Sequence, residues 1–234
     1  MTPKTFVLVH GAWHGGWCWK FLREKLSALG HHVFTPTLTG LGERSHLMHS
    51  DITLDTHILD IANLIRFEDL RDICLVGHSY GGWPVSGALE LVGERVSSVV
   101  YLDAFVPQDG QKGIDTQSPE SAASVHAALA RGDISRKGPS AAAFGVLPQH
   151  QAWVDAMMTP QPLGVSFTPI KLTGARERVS RKTYIRATAY AQASFDQHLA
   201  DCKSAGWRTY ELAVGHDVMV DAPDELAKLL IESA

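Results

Sequence analysis

Ser79 stands in Gly77-His78-Ser79-Tyr80-Gly81, directly after the apolar run Asp72–Val76 and directly before a stretch with helical spacing. A serine in a G-x-S-x-G turn between a strand and a helix exposes its Oγ on a strained corner, where it can attack a carbonyl carbon. Glycines at 77 and 81 leave room for close backbone packing there, and the helix start behind the serine favours developing negative charge. Pro84 falls in the first helical turn, where its missing N–H costs little. A serine hydroxyl is a poor nucleophile near neutral pH and needs an adjacent base. Of the twelve histidines, His216 lies after the last expected strand and before the last expected helix, which is where such a base is required. Two backbone N–H groups must then hold the developing oxyanion. One is that of Tyr80, and the loop His10-Gly11-Ala12-Trp13 supplies the other, with Ala12 as the expected donor.

These residues need a scaffold, and the chain alternates accordingly. Apolar runs predict strands over 5–10, 32–35, 72–76, 96–102, 183–186 and 208–213. Helical spacing covers 17–29, which stops at Gly30, and then 54–67, 81–92, 194–205 and 223–233. Repeated strand–helix units predict an α/β fold with a mainly parallel sheet covered on both faces. From Pro107 to about Ser180 the alternation breaks into Ala/Pro/Gly/Ser/Gln-rich sequence, with helical fragments near 121–131 and 149–158. The expected division is a core of 1–106 and 181–234 with an inserted cap of 107–180, placed over the C-terminal edge of the sheet.

Other chemistries fit less well. His10 and His14 are four apart, but a strand end and Gly11 lie between them with no nearby carboxylate or thiol cluster, so no metal site is expected. Thr39-Gly40-Leu41-Gly42-Glu43-Arg44 lacks the third glycine of a dinucleotide loop. With 21 Lys+Arg against 25 Asp+Glu and no run of like charge, nucleic acid is not an expected partner. No apolar stretch reaches the ~20 residues of a membrane span, and Phe6–Val9 is too short for a signal-peptide core. Three scattered cysteines read as buried thiols of a reducing, cytoplasmic compartment.

FVLVHGAWHGGWCW, GHSYGGW, VVYLDAFVP and GHDVMVDAP together resemble the small α/β-hydrolases related to plant hydroxynitrile lyases and plant methylesterases. TPTLTGLGERSHL and DITLDTHILDIANLIRFEDL are similar to a bacterial branch that includes carbendazim-type carbamate hydrolases and related esterases. The resemblance implies an α/β-hydrolase fold and cofactor-free hydrolysis of an ester or related acyl bond, with carbamate or amide cleavage as the alternative. Two departures argue against cyanohydrin chemistry: Gly11 replaces a threonine, and Asp217 replaces the lysine that would hold cyanide. A third concerns the triad acid. The family's usual position after the strand at 183–186 reads Ala-Thr-Ala-Tyr-Ala-Gln-Ala-Ser, without a carboxylate. Asp103, at the end of the strand following the nucleophile's helix, is the expected acid, completing the order Ser79…Asp103…His216; Asp196 is the second choice, ahead of Asp217 and Asp221.

Aromatic and Met residues concentrate near the elbow, the oxyanion loop and the cap. Trp13, Phe105, Trp153 and Met157 are the expected pocket residues, whereas Trp17 and Trp83 read as core. The expected partner is a small, moderately apolar or aromatic substrate. Exposed Trp and Met on the cap would support a homodimer.

Overall fold

The computed structural model describes residues 2–234. In chain order the elements are β1 (Thr5–Val9), α1 (Lys20–Ala28), β2 (His32–Phe34), α2 (Leu54–Phe67), β3 (Ile73–His78), α3 (Gly82–Val92) and β4 (Val96–Leu102). Then come α4 (Pro119–Ala130), β5 (Ser135–Arg136), α5 (Pro148–Met157), β6 (Gln161–Pro162) and α6 (Ala175–Arg178). The chain ends with β7 (Arg181–Ala187), α7 (Ala193–Ser204), β8 (Arg208–Leu212), α8 (Val218–Asp221) and α9 (Pro223–Ser233).

Six strands form one sheet in the order β2-β1-β3-β4-β7-β8, every neighbouring pair parallel. Parallel neighbours require crossovers, and the crossover helices cover both faces. That is why β1 is apolar without alternation. Val7 and Val9 pack with Leu54, Ile61, Val85 and Leu89 of α2 and α3. Phe6 and Leu8 point the other way, to Leu22 and Leu26 of α1 and Leu226 and Leu230 of α9. The order reverses between β1 and β3, so the loops leaving these two strands diverge and open a crevice at the carboxyl edge.

Residues 107–180 add no strand to this sheet. They carry α4, α5, α6 and an antiparallel ribbon, β5–β6, in which Arg136 faces Gln161 and Ser135 faces Pro162. The excursion is anchored at two places. Phe144, Val146 and Val154 join the core on the α1/α9 side, and Ile170, Ala175 and Val179 join the core on the α2/α3 side.

Candidate active site

The carboxyl ends of β1, β3, β4, β7 and β8 each deliver one part of the site. At the end of β3, Ser79 takes a left-handed φ of 53°, a strained conformation for a residue with a Cβ. The corner fits only because Gly81 has no side chain: a Cβ there would lie 2.8 Å from the carbonyl oxygens of both Val9 and His10. From the far side, the Phe105 N–H donates to the Ser79 carbonyl at 3.2 Å. The Tyr80 hydroxyl donates to His57 Nδ1 of α2 at 2.9 Å, and His57 Nε2–H donates to the Thr39 carbonyl at 2.9 Å. That chain requires a neutral His57, and burial lowers its pKa to about 4.

His216 follows β8. Its N–H donates to the Phe144 carbonyl at 2.8 Å, and its own carbonyl accepts from His78 Nε2 at 3.0 Å. The ring is buried among Phe144, Tyr190 and Phe195, with centroids 4.5 to 5.7 Å away. His216 Nδ1–H donates to Asp103 Oδ2 at 2.6 Å, leaving Nε2 as the unprotonated nitrogen. Asp103 is fully buried just past β4, with φ 43°. Its other oxygen accepts from Arg186 Nη1 at 2.7 Å and from the Ala187 N–H at 3.0 Å.

The other carboxylates are engaged elsewhere. Asp196 is 64% exposed and meets Arg186 Nε at 2.8 Å. Asp221 pairs with His150 at 2.7 Å. Asp217 is buried and accepts from His14 Nε2 at 3.0 Å. Burial pulls the His14 pKa down, but the Asp217 carboxylate outweighs it and leaves the ring above its ordinary value. Asp217 is therefore not a bare charge facing the substrate, as its place in the lysine position suggested. Paired with His14, it is fully buried and does not line the cavity. Gly11, the second departure, lies against the nucleophile: a Cβ there would come within 2.9 Å of Ser79 Cβ.

Ser79, His216, Ala12 and Tyr80 border one cavity of about 260 Å³. The Ser79 hydroxyl makes no hydrogen bond among the described residues, and it borders the same cavity as the His216 ring. Trp13 and Phe105 line the cavity, together with Trp83, Phe144, Tyr190 and Phe195. Trp83 thus serves the cavity as well as the core. Trp153 and Met157 do not line it, contrary to the reading of α5. Trp153 packs on Trp17 and Phe21, with centroids 5.2 and 5.4 Å away, and Met157 is 38% exposed. Helical spacing shows that the two share a face, but that face meets Trp17 just before α1, Phe21 of α1 and solvent rather than the crevice. The excursion adds polar lining, with Thr116, Gln117, Ser118 and Ser121 and, from its ribbon, Arg136 and Gln161, beside the apolar Pro139 and Val165.

Residues 6–229 match the alpha/beta hydrolase family. The chain belongs to it. This hydrolase is 40% identical over 236 residues to a carbendazim hydrolyzing esterase of Nocardioides sp., covering 96% of this chain and 97% of the relative. It is 37% identical over 105 residues to salicylic acid-binding protein 2 of Nicotiana tabacum, covering 44% of this chain and 40% of that protein. Among solved structures it superposes on an extracellular alpha/beta-hydrolase from a Paenibacillus species with a TM-score of 0.84 and 27% identity, over 99% of both chains. Among its described residues no helix is long and apolar enough to cross a membrane.

Three contributors to the hydrolase's site escape sequence reading. Arg186 is 1% exposed and ties Asp103 to the loop after β7, donating to the Ala187 and Tyr190 carbonyls at 2.6 and 2.8 Å. Its signal was an arginine inside an apolar strand ending, beside a loop with no acid. His10 Nε2 accepts the Leu38 N–H at 3.0 Å and binds the Thr37–Leu47 loop to the end of β1, while Thr39 ties the same loop to His57 and Asp60 of α2. Gln161 lies in a two-residue strand too short to show a period.

Proposed function

We propose that this chain is a serine carboxylesterase that works through an acyl-enzyme. It is a hydrolase of the esterase type, and the finer reading rests on one observation: the 2.6 Å hydrogen bond from His216 Nδ1 to buried Asp103, in the cavity that Ser79 enters. As Ser79 Oγ attacks the ester carbonyl carbon, His216 Nε2 takes the hydroxyl proton, and Asp103 stabilises the imidazolium that forms. The carbonyl oxygen becomes an oxyanion facing the Ala12 and Tyr80 N–H groups. Collapse of the tetrahedral intermediate breaks the bond to the alkoxy group, which leaves as an alcohol with the proton from His216. Water, deprotonated by His216, then attacks the acyl carbon and releases the acid, with the proton returning to Ser79. Trp13, Phe105, Phe144 and Phe195 favour a small substrate with an apolar or aromatic body. Three buried, unpaired thiols support a cytoplasmic location.

Labelling by a serine-directed phosphonate tests the reading, with Ser79→Ala as control. Wild type should be labelled and inactivated together, and the variant should show neither labelling nor ester hydrolysis. Hydrolysis persisting in Ser79→Ala would overturn it. A second reading, cleavage of a carbamate or amide, is favoured by the near-full-length relative named a carbendazim hydrolyzing esterase. Parallel assays on an aryl ester and the matched N-aryl carbamate separate the two.

A further inference from the structure

Arg136 and Gln161 face each other across the β5–β6 ribbon, and both line the cavity. Directly opposed residues of an antiparallel pair project to the same face. Gln161 is 4% exposed, and its Oε1 accepts the Trp13 N–H at 3.0 Å. That bond fixes which end of the amide is which. The remaining end, the Nε2 donor, is buried with no hydrogen-bond partner among the described residues. Beside it, the Arg136 guanidinium carbon lies 4.9 Å from the centre of the Trp13 ring. Arg136 enters no ion pair among the described residues. Partial burial lowers its pKa, with no opposing carboxylate to offset the effect.

A buried donor without an acceptor and a cation without a counter-charge, side by side in one cavity, call for the same ligand group. A guanidinium over an indole keeps N–H donors to spare, and a carboxylate can meet them with two parallel hydrogen bonds while keeping lone pairs for a neighbouring amide. Phe105 and Phe195 line the same cavity and give it apolar surface. We propose that Arg136 and Gln161 form a subsite for a carboxylate carried by the substrate, so that the ester cleaved at Ser79 belongs to a small molecule with an apolar body and one free acid group. Half-esters of dicarboxylic acids have this form. The inference rests on the Ser79 esterase reading for its place in catalysis, but it can be measured without turnover.

Monomethyl terephthalate and dimethyl terephthalate are a suitable pair of probes, because they share the aromatic methyl ester and differ at the distal group, a carboxylate in one and a neutral methyl ester in the other. Initial rates on the diester are halved for its two equivalent esters. Wild type should favour the monoester in kcat/KM by about tenfold or more. In Arg136→Gln that ratio should fall by about tenfold or more, with Arg136→Lys restoring part of it. Gln161→Glu keeps an acceptor for the Trp13 N–H but sets an acceptor against the carboxylate, and should also lower the ratio. The ratio cancels general loss of activity, and thermal unfolding with phosphonate labelling confirms that each variant is folded. Calorimetric titration of Ser79→Ala with monomethyl terephthalate reads the subsite directly, and adding Arg136→Gln should weaken binding about tenfold or more. If Ser79→Ala still turns over, the nucleophile assignment fails, and the ratio of kcat/KM for the two esters still reads the subsite. Equal kcat/KM for the two esters in wild type, or an unchanged ratio in both Arg136→Gln and Gln161→Glu, would overturn the subsite.

Discussion

Asp103 divides its carboxylate between a histidine and an arginine, and the two halves make separable predictions. Asp103→Asn removes the charge that stabilises the imidazolium, so kcat should fall by about 10³- to 10⁴-fold. It also leaves the Arg186 guanidinium buried without its counter-ion, which should lower the unfolding free energy by about 3 kcal/mol. Steady-state kinetics and urea denaturation of one variant measure both effects. Asp196→Asn removes only an exposed partner of Arg186 and should change stability by less than about 1 kcal/mol, with kcat nearly unaltered. A large kcat loss in Asp196→Asn, with Asp103→Asn active, would falsify the acid assignment. Tyr80 separates backbone from side chain in the same way. Tyr80→Phe leaves the N–H in place but strands His57 Nδ1 in the interior, so stability should drop by about 1–3 kcal/mol while kcat stays within a few-fold of wild type.

At the scale of elements, the elbow depends on how closely β1 and β3 finish beside each other. Gly81→Ala would force a Cβ against two backbone carbonyls that are themselves strand ends. Neither can give way without disturbing the Ala12 loop. Loss of about 1–3 kcal/mol in stability and a larger loss in kcat than in KM should follow, read by thermal unfolding and initial rates. The strands were legible in the sequence because each one is buried on both faces and reads as an apolar run. All six expected strands form, as do the longer helices, with no end moved by more than three residues. The three-residue start of the expected 17–29 helix is tighter 3₁₀ structure, where Gly15 and Gly16 turn the chain beneath Thr37. The short α6, α8 and ribbon strands were not legible, since two to four residues carry no period. The site divides along the same line. The elbow announces itself through local order, strand then turn then helix. The partners of Asp103, Tyr80 and Trp13 come from 23 to 148 residues away along the chain, and spacing does not reveal them.

Across the whole molecule, buried histidines govern the response to pH. His10 and His57 are held neutral by burial, with pKa values lowered to about 3 and about 4, and His78 lies well below its ordinary value for the same reason. In the unfolded chain all three would protonate near 6.5, so below that pH the unfolded state binds more protons and stability falls. At pH 5, His10 and His57 should each account for about 2 kcal/mol of loss. The His14–Asp217 pair behaves differently. Asp217 is below its ordinary value because His14 and its neighbours outweigh burial, so its contribution persists throughout this range. His14 is above its ordinary value, so its contribution is complete below 6.5 and is lost as pH rises through the raised value. Urea midpoints from pH 5 to 9 should peak near neutrality, and a flat acid limb would contradict the assignment of neutral histidines.

The ribbon that clasps Trp13 constrains the whole enzyme. The Trp13 N–H goes to Gln161, its carbonyl receives the Thr159 N–H at 2.9 Å, and its indole N–H reaches the Arg136 carbonyl at 3.2 Å. Any motion that swings the ribbon away pulls on the peptide next to Ala12, the residue proposed to hold the oxyanion. Such a clasp makes the excursion a fixed keyhole rather than a hinged door, so rim side chains can be trimmed to admit a bulkier ester only if the three Trp13 hydrogen bonds are left in place.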